Sequence, residues 1–208
     1  MNIEQDRSVT MECLQAQVAR QAQELDALRT EINGLIRHDP LTGVANRRGL
    51  LEMLDMELVR SHRTGHPFCF AVVDIDHFST VNLRYGASTG DLTLRTFSNA
   101  SVKLLRALDR FGRLGGDMFG ILMPATWLDS GVIAMTRLRT AVAACDWETI
   151  TPNTAITFSA GLTTNAPADS AELVLQRAEK ALLQAKTEGR NRTVTLEDAL
   201  PEMPVLDD

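Results

Sequence analysis

RLGGDMFGIL, residues 113–122, is the stretch on which the fold turns. Apolar residues flank a Gly115-Gly116 pair that is followed at once by Asp117, so residues 110–123 read as strand, tight turn, strand. Two adjacent glycines permit positive φ and let the backbone come close to a bound molecule. Asp117 is carried at the tip of that hairpin, and Met118 is the residue that follows it.

Working outward, PFCFAVVDI (67–75) is a short apolar run rich in β-formers, the pattern of a central strand buried on both sides. TAITFSAGL (154–162) reads as another strand. Helical texture covers Arg47–Arg60, Gly90–Leu108, Ser130–Ala144 and Ala171–Thr187, the last ending at Gly189. Strands that alternate with helices, one hairpin included, predict an α/β fold in which helices cover a mixed central sheet.

The 208 residues suffice for one medium domain and an appendage, and 44% hydrophobic residues supply an aliphatic core. A formal net charge of −6 argues against a nucleic-acid groove or an anionic membrane surface, both of which need a basic face. Cys13, Cys69 and Cys145 are odd in number and share no ligand spacing, which fits free thiols in a reducing compartment. No apolar run reaches the roughly 18 residues of a membrane span, and the N-terminus lacks a signal-peptide plan. A cytoplasmic protein is expected.

Residues 1–37 read as a helical stalk. Met11, Val18, Leu25 and Ile32 fall at a positions of a heptad, and Leu14, Gln21, Leu28 and Leu35 at d. The stripe is narrow and flanked by Gln, Glu and Arg, the pattern of a self-associating coiled coil. A parallel homodimer is expected, with the outer faces of the stalk free for a protein partner. The globular domain is expected over 38–194, and residues 195–208 form an acid-rich, Pro-containing tail expected to be loosely held.

Four pieces stand in order: DPLTGVANRR (39–48), DIDHFSTVNLRYGASTGD (74–91), RLGGDMF (113–119) and KALLQAKTEGRNR (180–192). Together they resemble the GGDEF-domain family, the diguanylate cyclases that condense two GTP molecules into cyclic di-GMP, over about Asp39–Val194. The resemblance implies a nucleotidyl-cyclase-like fold and assigns Asp74, the Ile75 carbonyl and Asp117 to Mg²⁺ or Mn²⁺, with Gly115, Gly116 and Asp117 as the catalytic turn. It assigns Asn82 and Asp91 to the guanine edge, Lys186 and Arg190 to the phosphates of GTP, and the Arg106–Asp109 RxxD, separated from Gly115 by five residues, to an inhibitory cyclic di-GMP site. The chemistry suits these roles: two carboxylates attract a hard cation, and a guanidinium addresses a guanine edge or a phosphate.

The departures are as informative. Where the family usually has Phe-Lys, Asn-Asp and Gly-His, this chain has Phe78-Ser79, Asn82-Leu83 and Gly86-Ala87, and Met118 replaces the second acid of the hairpin. A thioether is a poor ligand for a hard ion. The reading is therefore a cyclic di-GMP signalling protein with impaired or lost cyclase activity that acts through its RxxD site. An active cyclase under product inhibition is the alternative, and an interaction module without ligand is the third.

Overall fold

The computed structural model describes residues 36–198 and, within the N-terminal segment, residues 17, 20, 21, 23 and 24. The predicted heptad seam falls almost entirely outside the described residues, as do residues 199–208 of the tail. Within the stalk, Arg20 and Glu24 form an exposed i,i+4 ion pair of 3.2 Å.

The domain is built on β2 (Cys69–Ile75), a strand buried at every position. Alternation sends its side chains to two cores. Cys69, Ala71, Val73 and Ile75 meet Leu94 and Phe97 of helix α3 (Ala87–Leu104) and Met135, Leu138 and Val142 of α4 (Leu128–Ala143). Phe70 and Val72 meet Leu50, Leu54 and Leu58 of α1 (Arg47–Thr64) and Val174, Leu175, Ala178 and Leu182 of α5 (Ala171–Thr187). Each fully buried Leu, Val or Phe contributes roughly 1.5–3 kcal/mol, so a strand covered on both faces is the part of the chain least able to move.

Six strands form one mixed sheet in the order β1-β3-β4-β2-β5-β6, comprising β1 (Ala45–Asn46), β3 (Arg110–Gly115), β4 (Met118–Met123), β5 (Phe158–Thr164) and β6 (Thr193–Thr195) around β2. The β3–β4 and β2 neighbours are antiparallel, whereas the short edge strands β1 and β6 pair in parallel. The α/β sandwich expected from the sequence is thus present. Phe111 stacks on Phe119 at 5.2 Å and Phe97 lies edge-on to Phe158 at 5.6 Å, closing the core under the hairpin.

Several boundaries differ from the sequence reading. A short helix, α2 (Phe78–Tyr85), precedes α3, begins behind a left-handed His77 and was hidden inside the motif. Helix α3 stops at Leu104 rather than Leu108, because Leu105 turns extended and the Asp109 carboxylate accepts the Arg106 N–H at 2.8 Å. β5 begins at Phe158 rather than Thr154, since Thr151 and Thr154 are engaged in a loop bonded to Trp147. Thr195 pairs with Leu162 in the sheet, and the Leu196 N–H donates to the same carbonyl. Cys69 is buried, its thiol pushed up to about 12 by burial and by the Glu197 charge, so it packs as an inert group.

Candidate functional site

The C-terminal end of β2 delivers Asp74 to the face of the sheet covered by α5. The residue is buried, and its carboxylate lies 2.8 Å from Lys186 Nζ, which reaches over from the last turn of α5. Burial raises the Asp74 carboxyl above its ordinary range, the hydrogen bond and charge of Lys186 pull it back, and the neighbouring charge of Asp117 raises it further.

Asp117 reaches the same place from the hairpin. The register pairs Asp74 with Met118, and the Ile75 N–H donates to the Asp117 carbonyl at 3.4 Å. Gly115 (φ 143°) and Gly116 (φ 55°) make the turn, and Arg113 clamps it by donating to the Gly116 carbonyl at 2.9 and 2.7 Å. The same guanidinium holds Asp39 at 3.2 Å, while Asp39 also accepts from the N–H and hydroxyl of Thr42. Burial raises the Asp39 carboxyl, but the Thr42 bonds and then Arg113 outweigh it and hold the group below its usual range. Hairpin tip and the loop after residue 38 therefore form one ion-paired unit.

Met118 is half-buried and packs against the α1/α5 core. At the position directly across from Asp74, the chain has a hydrophobic contact in place of a second oxygen donor. Among the described residues no group of three or more His, Cys, Asp or Glu side chains is placed to hold a metal ion. A hard divalent ion here would be offered the carboxylates of Asp74 and Asp117 and the Ile75 carbonyl, oxygen donors of suitable chemistry, while the Met118 thioether would add none.

Asn82 on α2 and Asp91 on α3 are brought together by the tight junction at Gly86, whose N–H bonds to the Asn82 carbonyl at 3.0 Å. A Cβ on Gly90 would sit 1.9 Å from Asn82 Oδ1, so the bare glycine makes room for the amide. Both Asn82 and Asp91 are exposed, as is Ser79, and Leu83 is 89% exposed.

Lys186 and Arg190 stand at the far end of α5. Arg190 and Asn191 are left-handed, and their turn is pinned by Asp76, which lies just past the end of β2. Buried Asp76 accepts from Thr157 Oγ1 at 2.7 Å, Ser159 Oγ at 2.6 Å and the Asn191 N–H at 3.0 Å. It ties the end of β2 to the segment that carries Arg190, a role that only the fold reveals.

Arg106 and Asp109 lie in a separate place, at the end of β3 away from the glycine turn. They form a tight turn in which the Asp109 N–H donates to the Arg106 carbonyl at 3.0 Å, and Arg110 braces it by donating to the Ala107 and Asp109 carbonyls. The Arg106 guanidinium forms no ion pair among the described residues, so the i,i+3 salt bridge that the spacing also allows is not made. Arg106 and Asp109 line a small cleft of about 50 Å³ with Ser130, Ile133 and Arg137 of α4. Arg137 adds a second basic side chain to that cleft.

An acid pair where a central strand meets its adjacent glycine hairpin, with Lys186 bonded to one of the acids, is the centre of the candidate site. The family model for the diguanylate cyclase GGDEF domain matches residues 36–192, and the chain belongs to that family. It is 38% identical over 192 residues to the diguanylate cyclase DgcP of Pseudomonas aeruginosa, covering 91% of this chain and 29% of that protein. It is 33% identical to the response regulator PleD of Caulobacter vibrioides, covering 75% of this chain and 35% of that one. The chain thus spans about a third of the length of these relatives.

Two solved structures superpose well. The diguanylate cyclase SiaD of Pseudomonas aeruginosa, in complex with its activator SiaC, matches with a TM-score of 0.74 at 33% identity, over 92% of this chain and 75% of that one. The coiled coil and GGDEF domain of DgcB from Caulobacter crescentus, in complex with cyclic di-GMP, matches with a TM-score of 0.73 at 29% identity, over 88% and 99%. No helix among the described residues is long and apolar enough to cross a membrane.

Proposed function

We propose that this chain binds cyclic di-GMP through Arg106, Asp109 and Arg137 and that its own cyclase chemistry is impaired. One observation carries the reading: Met118 packs against the apolar core directly across from Asp74, while the RxxD turn is intact and its guanidinium makes no ion pair among the described residues. Arg106 and Arg137 suit phosphate and the guanine edge, and Asp109 can accept guanine N–H groups. The DgcB structure, which contains cyclic di-GMP, supports the choice of ligand.

At the acid pair, Asp74, Asp117 and the Ile75 carbonyl would hold Mg²⁺ or Mn²⁺, which when bound neutralises triphosphate charge and favours ionisation of an attacking hydroxyl. Asn82 and Asp91 would orient guanine, and Lys186 and Arg190 the phosphates. The glycine turn keeps the approach to Asp117 open. Loss of the hairpin acid and of a lysine at position 79 removes two charged contacts, each worth about 1.5–3 kcal/mol, and catalysis loses orientation as well.

The second reading, an active cyclase inhibited by its product, is favoured by the retention of Asp74, Asp117, Asn82, Asp91, Lys186 and Arg190. In either reading the protein is cytoplasmic, acts as a homodimer through residues 1–37 and offers the stalk to a protein partner; the relative SiaD was solved in complex with a protein activator, SiaC. Neither nucleic acid nor membrane is a partner. Nucleotide-stripped protein incubated with GTP and Mg²⁺ or Mn²⁺, then chromatographed, decides between them. Turnover abolished by Asp117→Ala establishes the enzyme. Calorimetry with cyclic di-GMP on wild type and Arg106→Ala tests the receptor, and absence of binding heat in wild type refutes it.

A further inference from the structure

We infer that Lys186 is the resident counter-ion of Asp74, that a divalent ion must displace it, and that its displacement delivers its charge to the nucleotide's phosphates. This rests on Asp74 being a metal ligand and specifies how that site is regulated. Nζ of Lys186 lies 2.8 Å from Asp74 Oδ1, and the two side chains are unequally exposed, 32% for the lysine and 8% for the aspartate. The aspartate is fixed on a strand buried on both faces, whereas the lysine extends from the last turn of a helix and can leave by rotating its stem.

The site has more demand for positive charge than it has cations. Asp117 adds a second negative charge beside Asp74, and Ser79 brings none of the opposite sign. Arg190 forms no ion pair among the described residues and is held four positions further on by the Asp76-anchored turn, outside the Asp74 pair. One ammonium cannot neutralise the buried carboxylate and a triphosphate together. A divalent ion on Asp74 repels the lysine at contact range and replaces its charge, so metal and nucleotide each promote the other's binding through Lys186. With the lysine at position 79 absent, this chain depends on that exchange.

The consequence is a pair of effects opposite in sign, which a lysine serving only as a phosphate contact does not produce. Lys186→Met and Lys186→Gln in the full chain should raise Mn²⁺ affinity in the absence of nucleotide by about ten-fold, the scale of one charge-assisted contact. Free Mn²⁺ is read by electron paramagnetic resonance. The same variants should weaken binding of a non-hydrolysable GTP analogue, and the gain in Mn²⁺ affinity on adding that analogue should shrink. Asp74→Asn should abolish Mn²⁺ binding. If both Lys186 variants bind nucleotide-free Mn²⁺ no more tightly than wild type, the counter-ion role is overturned while Asp74 stands as a ligand. Mn²⁺ binding indifferent to Asp74→Asn overturns the metal-site reading and the counter-ion role with it.

Discussion

Single atoms decide much of what this domain can bind. A Cβ at Gly90 would lie 1.9 Å from Asn82 Oδ1 and 3.2 Å from the tip of the Phe78 ring. Gly90→Ala should therefore rotate Asn82 out of position, lowering affinity for a GTP analogue about ten-fold, the effect of one lost polar contact. Calorimetry on Gly90→Ala, Asn82→Ala and the double variant checks this: the double variant should bind no worse than Asn82→Ala alone. The ion pair at the hairpin gives a pH signature. Asp39 has its carboxyl held below the usual range, so its contribution is present above about pH 4 and is lost as pH falls through its depressed folded value. Asp39→Asn should cost about 1 kcal/mol at pH 7 and progressively less in acid, as chemical denaturation at a series of pH values would show. Asp74 and the glycine turn were legible in the sequence, Asp74 as a charge closing an apolar strand and Gly115-Gly116 as a tight turn between two others, whereas Asp117 took its role from the family resemblance. Arg137 was not, since only the packing of α4 beside the RxxD turn makes it a neighbour of Arg106.

At the scale of elements, the question is what places α5, whose end carries Lys186 and Arg190. The helix lies on β5 at Gly161, where a Cβ would meet the Ala178 carbonyl at 2.0 Å and the Leu182 N–H nitrogen at 2.2 Å. Those are backbone atoms and cannot step aside as a side chain can, so Gly161→Ala must lift the whole helix. The cost should be roughly 1–3 kcal/mol or more, read as a lower midpoint in urea unfolding, and GTP-analogue affinity should fall with it. Helices α1, α4 and α5 were readable from apolar periodicity and end signals, and β2 from its unbroken apolar run. The edge strands β1 and β6 were not, because two and three residues carry no period. The true end of α3 was hidden for another reason: Arg106–Leu108 have ordinary helix propensity, and the Asp109 side chain overrides it. That competition turned an expected helix end into the RxxD turn.

For the whole molecule, one domain contains one acid pair and one RxxD turn, and these make different demands on assembly. Arg106, Asp109 and Arg137 line one cleft within a single domain, so the set proposed for cyclic di-GMP does not draw on a second copy. Condensation of two GTP molecules instead requires two acid pairs facing one another, which a lone domain does not supply. The heptad pattern of residues 11–35, with Met11, Val18, Leu25 and Ile32 at a positions, is the element we propose to bring two chains together. Removal of residues 1–35 should therefore lower the mass measured by light scattering from about twice the 22.9 kDa of one chain to that of a single shortened chain, less than half the starting value. Titration with cyclic di-GMP should then show binding that survives the truncation and is lost in Arg106→Ala, whereas any turnover of GTP should disappear along with the dimer. An unchanged mass after truncation would refute the zipper, and binding lost with the stalk would move the ligand site from the domain to the interface between two copies.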